Sequence, residues 1–176
     1  CAGKSFTMSA SGASTYVYSG GSTVVSPSST TSYTVTGTSS GCSNTAIATV
    51  TVNSNPIVAV NSGSICNGTS FTMNPTGAST YVYTGGSAIV SPSTNSSYTV
   101  TGTSALGCTN TAVSSVTVNA NPTVAVNSGS ICNGSSFTMN PSGASTYAYT
   151  GGSALVSPSS TTSYTVTGTS AAGCSN

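Results

Sequence analysis

Side chains of one kind recur at every second position through most of the chain. Phe71 and Met73, Tyr81 and Tyr83, Tyr98 and Val100, Val116 and Val118, and Val124 and Val126 are the clearest cases. A period of two, carried by β-branched and aromatic residues, is that of a strand with one face buried. Turn signals separate these runs: NPTGAS at 74–79, TGGS at 84–87, SPSTNSS at 91–97 and ALG at 105–107. No stretch carries the 3.6-residue spacing of a helix. The pattern predicts an all-β chain of short strands, six or seven to a segment of about 66 residues, at the spacing of a β-sandwich.

The whole pattern then repeats. SICNGTSFTMNP at 64–75 returns as SICNGSSFTMNP at 130–141, and the chain opens on the related CAGKSFTMSA. Residues 66–110 and 132–176 agree at 36 of 45 positions. Cys1 to Cys66 is a shift of 65 and Cys66 to Cys132 a shift of 66, because TSSGC in the first copy is TSALGC in the second. A one-residue difference there is expected of a tolerant turn. The expected repeats are 1–54, without a leading strand; 55–120, complete; and 121–176, without a last strand. Repetition of this kind points to an array, read here as a window on a longer one. Strands from neighbouring chains would also fill the two gaps, but a longer continuous chain is the simpler expectation. The Asn-Pro steps of VNSNP (52–56) and VNANP (118–122) should hold the chain extended between repeats. A unit of 66 residues buries a thin core, marginal without an added constraint.

Composition narrows what such an array does. One residue in 176 is charged, Lys4, and Asp, Glu and His are absent, where an ordinary domain carries about 25% charged residues. General acid–base catalysis, paired-carboxylate hydrolysis and Ser-His-Asp or Cys-His chemistry all lack their groups. Calcium and magnesium want carboxylates, and one lysine is no nucleic-acid surface. No enzyme, cofactor, metal or nucleic-acid partner is expected. No apolar run approaches the ~20 residues of a membrane-spanning helix. Ser and Thr make about two-fifths of the chain, yet the regular apolar spacing argues for a folded protein rather than a mucin-like stalk. A surface with almost no charge, and edges without lysines, favours association. The expected partners are therefore copies of itself or neighbouring repeats, with O-glycans on exposed Ser and Thr.

The six cysteines remain. A catalytic thiol needs a base, and zinc sites bring cysteines in close pairs, whereas no two here are nearer than 24 residues. Cys1 aligns with the internal Cys66 and Cys132, so it is no lipid anchor. Structural disulfides are left, and with them an oxidising, extracellular setting. Equivalent cysteines should have equivalent partners, which leaves two schemes. One closes each repeat on itself: Cys1–Cys42, Cys66–Cys108 and Cys132–Cys174. The other crosses the junctions: Cys42–Cys66 and Cys108–Cys132. The first closes the longer loop, at roughly 4 kcal/mol per bridge in the chain-entropy model, and would staple each thin core.

Two further features invite sharper readings. TVTGT (34–38, 99–103, 165–169) aligns threonines on one strand face, more simply a polar face than a ligand array. TYVY at 80–83 offers Tyr81 and Tyr83 as a sugar platform, against the commoner role of alternate aromatics as core. The sequons at Asn67, Asn95 and Asn133 are taken as incidental.

The string S-I-C-x-G-x-S-F-T-M, then G-A-S-T-Y-x-Y, then V-S-P-x-x-x-x-S-Y-T-V-T-G-T-x-x-x-G-C and a closing V-T-V-N resembles the tandem Ig-like or PKD-like repeats of very large Bacteroidetes surface proteins, adhesins and gliding-type filaments. The resemblance covers essentially the whole chain and is specific for the repeat class. It implies Ig-like β-sandwich repeats with the first cysteine at the A–B end and the second in the F–G turn, which supports pairing within a repeat. It also implies an extracellular, load-bearing or adhesive role at a bacterial surface, without catalysis. In such repeats a Trp often stands where this chain has Tyr18, Tyr83 and Tyr149. The expectation is a structural stalk, fibril or filament, with an array of polysaccharide-binding modules as the rival reading.

Overall fold

The computed structural model describes all of residues 1–176 and contains strands and turns but no helix. The first copy of the sequence period forms β1 (Phe6–Thr7), β2 (Thr15–Tyr18), β3 (Val24–Val25), β4 (Thr31–Ser39) and β5 (Cys42–Val50). The second forms β6 (Gly63–Cys66), β7 (Phe71–Thr72), β8 (Thr80–Tyr83), β9 (Ile89–Val90), β10 (Ser96–Thr103) and β11 (Thr109–Asn119). The third forms β12 (Phe137–Thr138), β13 (Thr146–Tyr149), β14 (Leu155–Val156) and β15 (Val166–Thr169).

Pairing follows the local order of the chain. β4 and β5 make a long antiparallel hairpin from Thr31↔Val50 to Ser39↔Cys42, and β2 lies on the other edge of β4. In the second copy the order is β6-β11-β10-β8, with β6 parallel to β11 from Gly63↔Val116 to Cys66↔Asn119. β13 pairs with β15 as β8 does with β10. In each copy a short Phe-Thr strand pairs with a short strand ending in valine: β1 with β3, β7 with β9, β12 with β14. The period of two decides burial. In β8 the tyrosines face inward and are half-buried, while Val82 between them is 68% exposed.

Close contacts divide the chain into two compact units, residues 1–60, 74–86 and 99–113 in one and 61–73, 87–98 and 114–176 in the other. The unit and the sequence period are different divisions: β10 and β11 each contribute residues to both units. Met8, Val25, Val35, Val50, Val100 and Cys108 are buried in the first, with Tyr18, Tyr33 and Ala48 packed on the Met8 cluster. Met73, Val90, Val116, Met139, Val156 and Cys174 are buried in the second.

The cysteine pairing differs from both expected schemes. Cys1 bonds to Cys108 and Cys66 to Cys174, at sequence separations of 107 and 108, and Cys42 and Cys132 are exposed free thiols. The expected bridges Cys1–Cys42, Cys66–Cys108 and Cys132–Cys174 do not form, and the chain holds two disulfides rather than one for each repeat. The first copy gives the reason. Cys42 opens β5, whereas the Ala2 amide, next to Cys1, donates to Asn53 O beyond that strand's far end. Strand of that length holds the two positions about 30 Å apart, and a disulfide needs Cα atoms within about 7 Å. Periodicity is still obeyed, one copy further on: each bridge joins the first cysteine of one copy to the second cysteine of the next.

Candidate functional site

Nothing here gathers three or more metal-ligating side chains, and every buried side-chain polar atom has a partner. What the fold builds twice is a junction between successive copies of the period. It starts from the Asn-Pro linker. Proline fixes its own φ and keeps the preceding residue extended, so the linker emerges as a straight edge. Pro56 and Pro122 are buried, and their carbonyls accept hydrogen bonds from Asn110 Nδ2 at 3.0 Å and Asn176 Nδ2 at 3.1 Å. Three residues on, Ala59 exchanges two backbone hydrogen bonds with Thr76, at 3.1 and 2.9 Å, and Ala125 does the same with Ser142.

The glycine of TVTGT is what lets this leading segment sit so close. A Cβ on Gly102 would fall 2.6 Å from a methyl of Val58 and 2.7 Å from Ala78 Cβ, and one on Gly168 would collide with Val124. The threonines around it pair as hydroxyls across strands, as in Thr38 Oγ1 to Ser43 Oγ at 2.9 Å, which is how a polar sheet face is usually satisfied.

The disulfide closes the junction. Beside Cys1–Cys108, the Ala2 amide donates to Asn53 O at 3.0 Å, and Cys108 Sγ lies 3.7 Å from that oxygen. Beside Cys66–Cys174, the Asn67 amide donates to Asn119 O at 2.9 Å and Asn121 Nδ2 to Asn67 O at 3.3 Å. The second cysteine of each bridge sits on a turn held by a serine. Ser104 N donates to Cys108 O while Cys108 N donates to Ser104 Oγ, and Ser170 and Cys174 repeat the pair. Chemically this is a covalent cross-link inside a neutral hydrogen-bonded frame. With no side-chain carboxylate in the chain, its cohesion owes nothing to ion pairs.

The shorter turn of the first copy is more than a tolerated deletion. Ser40 (φ 52°) and Gly41 (φ 80°) form a two-residue hairpin loop, the left-handed pair that such loops require. Cys42 is thereby exposed, where Cys108 and Cys174 are buried and bridged. Of the cysteines expected to pair, the fold joins Cys1, Cys66, Cys108 and Cys174, and leaves Cys42 and Cys132 unbonded. Tyr81 and Tyr83 lie on the same face of β8 and are half-buried. Tyr81 Oη accepts from Ala78 N at 2.8 Å and donates to Ala78 O at 3.0 Å, clamping the Gly-Ala-Ser turn, and Tyr147 does the same at Ala144. Sequence reasoning named the Asn-Pro linkers as extended spacers but missed the hydrogen bond that each proline carbonyl accepts from the asparagine two places after a second cysteine. The signal was present, because GCSN, GCTN and GCSN recur at 41–44, 107–110 and 173–176.

The two disulfides indicate an oxidising environment, extracellular or periplasmic, and no helix is long and apolar enough to cross a membrane. Neither a protein-family model nor a curated protein sequence matches the chain.

Proposed function

We propose that this chain is a non-catalytic structural element of an extracellular stalk, fibril or filament at a bacterial surface, with an adhesive role, built from Ig-like β-sandwich repeats. The observation that carries the reading is the offset of the bridges: each fastens one copy of the period to the next instead of closing a copy on itself. A cross-link placed between copies serves continuity along an array, the property a stalk needs. The near-absence of charge fits the same role, since nothing on the surface repels a neighbouring copy. Cys132 is a first cysteine and Cys42 a second one. A further copy on either side would present the matching partner at the same separation. Exposed Ser and Thr supply acceptors for O-glycans. Negative-stain microscopy of native material tests the proposal: continuous fibres are expected, and dispersed short rods would sink it.

A further inference from the structure

A groove of about 580 Å³ lies open along the first copy, lined by Ser9–Ala13, Tyr16, Val35, Gly37 and Cys42–Ala48. In the second copy the leading segment 53–61 occupies the matching place, and in the third the segment 119–127 does. The correspondence holds residue by residue. Gly102 and Gly168 are covered by Val58 and Val124, while their counterpart Gly37 faces only Ala13 and Tyr16 of its own copy. Gly77 and Gly143 lie against the carbonyls of Ile57 and Thr123, whereas Gly12 has nothing within 4 Å. Thr76 and Ser142 are bridged to Ala59 and Ala125, and Ser11 is bridged to no strand. Asn44 holds the register of Asn110 and Asn176, opposite Gly37 as Asn176 is opposite Gly168. Its amide nitrogen, unlike theirs, donates to no proline carbonyl.

We propose that this groove is a binding site for an extended peptide of the chain's own leading-strand pattern, N-P-x-V-A-V-N. Strand addition to an open edge takes its affinity from backbone hydrogen bonds and its specificity from alternate side chains. Here Ser11 offers the backbone bridge, the missing Cβ of Gly37 makes room for the first valine, and Asn44 receives the proline carbonyl. Both leading segments of residues 1–176 are seated in grooves of their own, so the site takes such a segment from a separate strand. The inference rests on the assembly reading only for the source of that strand. Peptide binding and fibre formation are separate measurements, and either can fail while the other holds.

The test is an NMR titration of the isotope-labelled chain with a synthetic peptide of residues 53–63, NSNPIVAVNSG. Saturable shifts are expected at Ser9–Ala13 and Cys42–Ala48. A peptide carrying Val58→Asp should not bind, and Asn44→Ala in the chain should weaken binding about fivefold, the worth of one hydrogen bond. Gly37→Val should block the site; if that variant does not fold, the Val58→Asp peptide carries the comparison. Absence of shifts at millimolar peptide, or equal binding by the Val58→Asp peptide, would overturn the proposal. Shifts that grow with protein concentration in the absence of peptide would overturn it too, by placing a second copy of the chain in the groove.

Discussion

Gly12 and Gly77 hold the same place in successive copies, at φ 97° and 90°, but in different surroundings. Replacing Gly12 by Ala meets open space and should cost only the left-handed strain, about 1 kcal/mol. Gly77→Ala drives a methyl into the Ile57 carbonyl and should cost several times that, since the Ala59–Thr76 bridge must open. Denaturant melts of the two variants check the ratio. Equal losses would mean that the leading segment does not lie where it is described. Tyr81→Phe removes the hydroxyl that clamps Ala78 and should cost about 1 kcal/mol, with no effect on a cellulose pull-down. At the same scale, thiol titration of the denatured, unreduced chain should find two thiols, Cys42 and Cys132. Closure of each repeat on itself would leave none.

Among the elements, β11 shows how one strand serves two purposes. Val116 carries the buried face, while Ser114 is fully buried and donates its hydroxyl to Asn61 O at 2.7 Å. Ser114→Ala removes that buried hydrogen bond and should lower stability by about 1 kcal/mol, read as a shift in the denaturant midpoint at constant slope. β11 and β8 were legible in the sequence, because alternation over four or more residues survives any change of neighbour. Val124 and Val126 alternate just as cleanly, yet only Ala125 between them is bridged and Val126 is 40% exposed. A strand is completed by a partner, and the pattern of one segment does not name it. The same limit hid the disulfides. When two copies agree at 36 of 45 positions, a partner one period further on is as periodic as a near one. Only the length of the intervening strand separates the two.

On the scale of the whole molecule, the missing carboxylates and imidazoles have a thermodynamic effect. Stability changes with pH only where folded and unfolded chains bind different numbers of protons, and the chain has no Asp, Glu or His, the side chains that ordinarily change charge between roughly pH 3 and 7. Thermal melts should therefore superimpose across that range, and a marked acid destabilisation would contradict the description. Reduction should act strongly instead, since each bridge closes a loop of over 100 residues and removes roughly 4–5 kcal/mol of chain entropy from the unfolded state. The two loops also overlap, from Cys66 to Cys108, and the overlap governs what a protease can do. Any single backbone cut between Cys1 and Cys174 falls inside at least one loop, so the fragments stay covalently joined. Thermolysin has an exposed target at Ile57, in a linker that bridges closed within each repeat would have left unguarded. A nick there should be invisible on a non-reducing gel and appear as two fragments only after reduction: the molecule can be cut without being severed.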